Sequence, residues 1–131
     1  MTDPQSEQIL IVEHDTVTTD TYARMLRLEG YQVRTALTAE DGLREAESNR
    51  PDAIIVDFHM AGIDGLEFLR RLRMGHKTRH TPVAMVTGDY ALDDAIAAQL
   101  EELGAEVRFK PFWLEDLANL VRELLAANQS D

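Results

Sequence analysis

Three short runs of consecutive apolar residues constrain the fold of this chain more than any other feature. They occupy residues 9–12, 53–56 and 83–86. Strands covered on both faces, as in a parallel sheet, are apolar at every position, whereas strands with one face exposed to solvent alternate apolar and polar residues. Two weaker runs, at residues 31–35 and 106–109, are candidates for further strands. The pattern therefore predicts a parallel sheet of up to five strands.

Helical patterns fill the segments between these runs. Asp15 can cap a first helix that continues to Glu29, with Gly30 terminating it. A second helix begins at Thr38 or Ala39 and must stop before Pro51. Leucine-rich stripes with helical spacing mark three more helices, around residues 66–72, 96–103 and 114–125. Strand and helix thus alternate five times, which indicates a doubly wound α/β domain with helices on both faces of the sheet.

Composition narrows the functional classes. The chain has 131 residues with 44% hydrophobic content, which suits one domain over residues 9–127 between polar tails at 1–8 and 128–131. A net charge of -11 disfavours direct binding to nucleic acid or to a membrane surface. The sequence contains no cysteine and no export signal, so we expect a cytoplasmic setting.

Chemically active side chains follow the predicted strands. In a parallel sheet the carboxyl ends of the strands share one edge, and ligands bind there, at the topological switch point. Carboxylates suit a hard cation, and a hydroxyl and an ammonium suit phosphate oxygens, so this edge is fitted for phosphoryl chemistry. The residues concerned are Glu13, His14, Asp15, Asp57, Thr87 and Lys110.

Five short motifs occur in a fixed order along the chain: residues 9–13, residues 51–57, Met60 with Gly62 and Asp64-Gly65, residues 86–88, and Gly104-Ala105 leading to residues 110–112. Together they resemble the response-regulator receiver family of two-component signalling, the CheY-like superfamily, over residues 8–127. The resemblance implies a (βα)5 flavodoxin-like three-layer sandwich with strand order 2-1-3-4-5, which receives a phosphoryl group from a sensor histidine kinase or a phosphotransfer protein.

The same resemblance assigns a role to each matching residue. Asp57 corresponds to the phosphoacceptor, and Glu13 and the backbone carbonyl of His59 correspond to ligands of Mg²⁺. Thr87 corresponds to the hydroxyl that contacts the phosphoryl group, and Lys110 to the phosphate-binding lysine, whose bond to Pro111 resembles the family's cis peptide. We also expect Gly65 to let the loop after Asp57 turn into the third helix.

Several positions depart from the family pattern. His14 stands where the family has a second acid, so either His14 or Asp15 completes the metal site, Mg²⁺ binding should be weaker, and Mn²⁺ is an alternative cation. Val107 replaces the aromatic residue that moves with the activating hydroxyl in many relatives. The stretch from Thr87 to Gly104 is longer than usual, and we expect a lengthened fourth helix there.

Three functions compete at this stage. The first is a receiver that catalyses only its own phosphorylation and dephosphorylation, and that signals to an effector or forms a homodimer through the face built by the fourth helix, fifth strand and fifth helix. The second is a pseudo-receiver that acts through protein contacts without stable phosphorylation, which His14 and Val107 suggest. The third is a phosphohydrolase of the haloacid dehalogenase type, which requires an acid where this chain has His59.

Overall fold

The computed structural model describes residues 7–60, 62–88, 92–110 and 114–129, in which strands and helices alternate strictly. This arrangement confirms the predicted fold class. The elements in chain order are β1 (Gln8–Val12), α1 (Thr16–Leu28), β2 (Gln32–Ala36), α2 (Ala39–Asn49), β3 (Ala53–Asp57), α3 (Gly65–Met74), β4 (Val83–Thr87), α4 (Asp94–Glu102), β5 (Ala105–Phe109) and α5 (Leu114–Gln129).

The sheet has five strands in the order β2-β1-β3-β4-β5, and all four pairings are parallel. The chain first winds outward from β1 to β2 and then crosses back to β3, so β1 and β3 are neighbours at the switch point. Val12 pairs with Val56 across these two strands. The residues that follow them, Glu13 and Asp57, are therefore adjacent at the carboxyl edge.

Alternate residues of each strand enter two separate cores, which explains why the strand sequences are apolar without a break. Leu10 and Val12 belong to the core under α2, α3 and α4, whereas Ile9 and Ile11 belong to the core under α1 and α5. All four side chains are essentially inaccessible to solvent. The result is a three-layer sandwich whose rigid centre carries the site at one end.

Side-chain caps set the start of several helices. Asp15 accepts a hydrogen bond from the backbone N–H of Thr18 at the start of α1, and Thr38 accepts one from Asp41 at the start of α2. Asp15 was one candidate cap for the first helix, and the second helix was expected to begin at Thr38 or Ala39; Thr38 is the cap and Ala39 the first helical residue. At the ends of the chain, β1 begins at Gln8 and α5 extends to Gln129, so the ordered elements reach slightly into the segments expected to be tails.

The expected lengthening of the fourth helix is wrong. α4 contains nine residues and is the shortest helix of the described chain. Asp93 caps it by accepting hydrogen bonds from the N–H groups of Ala95 and Ile96, so the helix cannot begin earlier. A longer fourth helix therefore does not account for the length of the stretch from Thr87 to Gly104.

The reason expected for Gly65 is also wrong. Its backbone is outside the left-handed region, whereas Gly62 has φ 91° and makes the turn after β3. A Cβ atom on Gly65 would instead lie 2.9 Å from Phe58 Cδ1 and 3.0 Å from Phe58 Cα. Glycine at position 65 thus permits a close approach between α3 and the end of β3.

The helices of the described chain are all too short or too polar to cross a membrane. The Lys110–Pro111 bond, for which a cis form is expected, lies outside the described residues.

Candidate functional site at the carboxyl edge

Two buried carboxylates form the centre of the site. Glu13 follows β1 and Asp57 ends β3, and their side chains are only 3% and 5% exposed. The backbone N–H of Glu13 donates to Ala36 O, which extends the β1–β2 ladder by one residue. Because both positions are held by strands at the switch point, the carboxylates are fixed in place before any ligand arrives.

Lys110 joins the two acids from the end of β5. Its Nζ donates to Glu13 Oε1 at 2.9 Å and lies 3.4 Å from Asp57 Oδ2. Burial alone would lower the pKa of the ammonium, but the hydrogen bond to Glu13 and the charges of Asp57 and Glu13 outweigh burial, so the pKa is raised. The lysine therefore stays charged and offsets one of the two negative charges.

The surroundings of Glu13 disfavour the ionised form of its carboxyl group. Burial raises its pKa first, and the neighbouring Asp57 carboxyl raises it further, while Lys110 lowers it only in part. A site in which negative charge is in excess favours the arrival of a cation.

His14, rather than Asp15, reaches the two acids. His14 Nδ1 lies 3.3 Å from Glu13 Oε2 and 3.5 Å from Asp57 Oδ2. The Asp15 carboxylate points to the start of α1, where hydrogen bonds from Thr18 lower its pKa. Of the two residues that the sequence left open, the structure places the imidazole in the cluster and gives the carboxylate a capping role.

Thr87 is completely buried at the end of β4. Asp57 pairs with Val86, so Thr87 lies one residue beyond the acid on the neighbouring strand. Its carbonyl accepts the backbone N–H of Lys110 at 2.9 Å, which ties the end of β4 to the start of the next loop. Strand pairing thus brings the predicted hydroxyl and lysine to the same edge as Asp57.

His59 contributes its backbone rather than its side chain to the acid. Its N–H donates to Asp57 Oδ1 at 3.1 Å, while its exposed ring packs edge to face against Phe58. Asp57 Oδ2 remains directed toward His14 and Lys110. The two oxygens of Asp57 therefore face different partners.

Two residues that sequence reasoning treated as part of an ordinary helix also support the site. Thr19 Oγ1 donates to Glu13 O at 3.1 Å and to Asp15 O at 2.8 Å, which fixes the turn from β1 into α1. Burial raises the pKa of the Tyr22 phenol, and the charges of Lys110, Glu13 and Asp57 also act on it. Their only sequence signal is the position of polar groups on the buried face of α1.

The donor set fits a divalent cation. Within the described part of the chain, Glu13, His14 and Asp57 are the three side chains whose ligand atoms all lie within 4.8 Å of one another. Two carboxylate oxygens are typical ligands of Mg²⁺, and an imidazole nitrogen is typical of later divalent metals. The residues present therefore suit a metal site with one nitrogen donor.

Comparison with known sequences gives consistent relatives. A profile of the response regulator receiver domain matches residues 9–122. The transcriptional regulatory protein PrrA of Mycobacterium tuberculosis is 35% identical over 120 residues, covering 92% of this chain and 50% of PrrA. The response regulator MprA of Mycobacterium sp. strain KMS is 32% identical over 124 residues, covering 95% of this chain and 53% of MprA. The chain thus spans about half the length of these curated relatives.

Solved structures agree with this result. A CheY-like receiver domain from Methanospirillum hungatei superposes with a TM-score of 0.86 at 28% identity, covering 95% of this chain and 97% of that one. The chemotaxis response regulator CheY4 of Vibrio cholerae gives a TM-score of 0.83 at 27% identity, covering 92% and 99% of the two chains.

Proposed function

This chain belongs to the response regulator receiver family, and from that premise we propose that it is a signalling switch that accepts a phosphoryl group on Asp57. The observation that carries the proposal is the surroundings of this carboxylate. Asp57 Oδ2 lies 3.4 Å from the Lys110 ammonium and 3.5 Å from His14 at the end of the central strand. A fixed nucleophile beside a cation is the arrangement that transfer of an anionic group needs.

The proposed reaction uses the ionised form of Asp57. A carboxylate oxygen attacks the phosphorus of a phosphohistidine, the bond from phosphorus to the donor imidazole breaks, and that imidazole leaves with the electron pair. Lys110 stabilises the charge that spreads over the phosphoryl oxygens. Glu13, Asp57 and the carbonyl of His59, with His14, would hold a divalent cation such as Mg²⁺, which neutralises phosphoryl charge when bound.

Thr87 is proposed to report the phosphorylated state. A phosphoryl group adds nearly two negative charges and several acceptor oxygens beside a buried hydroxyl. Thr87 and Lys110 are linked through the backbone, so a pull on either one moves the end of β4 and the loop that follows β5 together. The switch would favour one of two conformations rather than create a new one.

The proposed partners follow from this cycle. The phosphodonor is a sensor histidine kinase or a phosphotransfer protein, and the output is an effector or a second copy of the chain that contacts the face of α4, β5 and α5. The ion pair from Arg108 to Glu123 at 3.0 Å joins β5 to α5 on this face, and Arg108 also pairs with Glu106 of its own strand at 2.7 Å. A shift at the site can therefore reach α5 through β5.

Intact mass after incubation with acetyl phosphate and a divalent cation tests the proposal. We expect the wild-type chain to gain one phosphoryl group and Asp57→Asn to gain none. Asp64→Asn is the matched control, because Asp64 caps α3 and asparagine caps equally well, so this variant should still be phosphorylated. An unchanged wild-type mass at saturating donor would overturn the proposal and leave a receiver fold that acts through protein contacts alone.

A further inference from the structure

An imidazole nitrogen occupies the position between the two buried acids of the site. His14 Nδ1 lies 3.3 Å from Glu13 Oε2 and 3.5 Å from Asp57 Oδ2. His14 is the exposed member of this group, with 56% of its side chain accessible, so its ring can adjust to a ligand. The two carboxylates, in contrast, are buried at the ends of strands.

These separations match a shared metal ion. Oxygen and nitrogen ligands at about 2.1 Å from an ion lie about 3.0 Å apart in octahedral geometry and about 3.4 Å apart in tetrahedral geometry. The observed distances from Nδ1 to the two oxygens are 3.3 and 3.5 Å. One ligand atom each from Glu13, His14 and Asp57 is therefore close enough to the other two for all three to share one ion.

The charge of the site also disfavours Mg²⁺. Lys110 Nζ already contacts Glu13 Oε1 at 2.9 Å and Asp57 Oδ2 at 3.4 Å, so one of the two negative charges is offset. Mg²⁺ relies on charged oxygen ligands and gives up its water reluctantly, whereas Mn²⁺ and later divalent ions bind imidazole more readily. Replacing a carboxylate by His14 therefore weakens Mg²⁺ binding more than Mn²⁺ binding.

We propose that His14 Nδ1 is a direct metal ligand in this chain and that the site selects Mn²⁺ and similar imidazole-binding ions over Mg²⁺. This inference rests on the proposed metal site at Glu13 and Asp57. It makes His14 a specificity-determining residue rather than a passive replacement for an acid. Its competitor is a purely electrostatic role, in which the ring only donates a hydrogen bond to the carboxylates.

The decisive measurement is electron spin echo envelope modulation spectroscopy of the Mn²⁺-loaded protein, which detects nitrogen nuclei bound to the ion. We expect nitrogen modulation from a directly bound imidazole in the wild type, and its loss in His14→Asp, which still binds Mn²⁺ through oxygen. His80→Gln is the control, because His80 precedes β4 and so lies at the amino ends of the strands, away from the site. This variant should keep the nitrogen signal. No nitrogen coupling in the wild type overturns the proposal, as does coupling that survives in His14→Asp and disappears in His59→Gln.

Calorimetric titration with Mn²⁺ and with Mg²⁺ supplies a second readout. We expect the ratio of the Mg²⁺ to the Mn²⁺ dissociation constant to fall about tenfold in His14→Asp, because an added carboxylate favours the harder ion. An unchanged ratio overturns the selectivity claim. Nitrogen coupling without any phosphoryl mass at Asp57 contradicts only the proposed function, whereas phosphorylation without nitrogen coupling contradicts only the role of His14.

Discussion

Replacing Gly65 with alanine should destabilise the fold through a steric conflict directly behind the site. A Cβ atom there would lie 2.5 Å from Met85 Sδ, 2.9 Å from Phe58 Cδ1 and 3.0 Å from Phe58 Cα. The Met85 side chain can shift, but Phe58 Cα is backbone and adjoins Asp57. Gly65 N–H also donates to Phe58 O at 2.9 Å, so α3 cannot move away without losing this bond.

The expected cost is the balance of two effects. Overpacking of a well-packed core costs about 1–3 kcal/mol. Alanine is a better helix former than glycine by up to about 1 kcal/mol, which partly compensates at this first residue of α3. We therefore expect a net loss of about 1–2 kcal/mol in the free energy of unfolding, and a fall in Tm of about 3–8 °C for a chain of this size.

Urea unfolding followed by far-UV circular dichroism measures this loss. Gly88→Ala is the matched control, because a Cβ atom at Gly88 meets no heavy atom of the described residues within 4 Å and its backbone is outside the left-handed region. The control should be neutral or slightly stabilising. If Gly65→Ala unfolds at the same urea concentration as Gly88→Ala, or at a higher one, the close-approach argument is refuted.

Three further perturbations test other parts of the structure. Arg73→Ala should lower the free energy of unfolding by about 2–4 kcal/mol, because the Arg73 guanidinium donates to the carbonyls of residues 78, 81 and 103. Arg71 is exposed, so Arg71→Ala should lower it by less than about 1 kcal/mol, and equal losses in urea unfolding would contradict this. The folded state raises the pKa of Glu13 above 4.5, so the contribution of this residue to stability falls as the pH rises from 4.5 through the folded-state pKa. In the absence of metal, the free energy of unfolding of Glu13→Gln should therefore increase relative to that of the wild type over this pH interval, and a difference independent of pH would contradict this. Beryllofluoride should shift the amide resonances of residues 87–103 and barely affect the short, β-branched Val107, whereas a large change centred on Val107 would contradict this route.

Local patterns were sufficient to predict the parallel strands, the helices and their alternation, whereas the strand order came from the family resemblance. Residues 9–12, 53–56 and 83–86 are apolar at every position, as expected for short strands covered on both faces. The starts of α1 and α2 were predictable to within a residue, because the side chains that cap them, Asp15 and Thr38, accept from N–H groups only three residues away along the chain. Alternation of strand and helix then placed the acidic residues at one edge.

Contacts between segments that are distant in the chain could not be predicted from local patterns. Arg73 lies near the end of α3, where its Nε donates to Leu103 O at 2.7 Å, thirty residues away, and its Nη1 donates to Thr81 O at 2.7 Å. The guanidinium therefore holds the end of α4 and the loop before β4 together. Nothing in the local sequence separates Arg73 from its exposed neighbours Arg70 and Arg71.

The sequence alone determined the parallel sheet, the helices on both faces and the edge where Glu13, Asp57 and Lys110 meet, because periodicity and strand-end position are properties of short segments. Tertiary structure alone decided that His14 rather than Asp15 faces the acids, and that Gly65 is required for space rather than for backbone freedom. Both outcomes depend on atoms that only packing brings together. An imidazole and a carboxylate on adjacent residues leave a strand end in different directions, and the chain around them determines which one reaches the site.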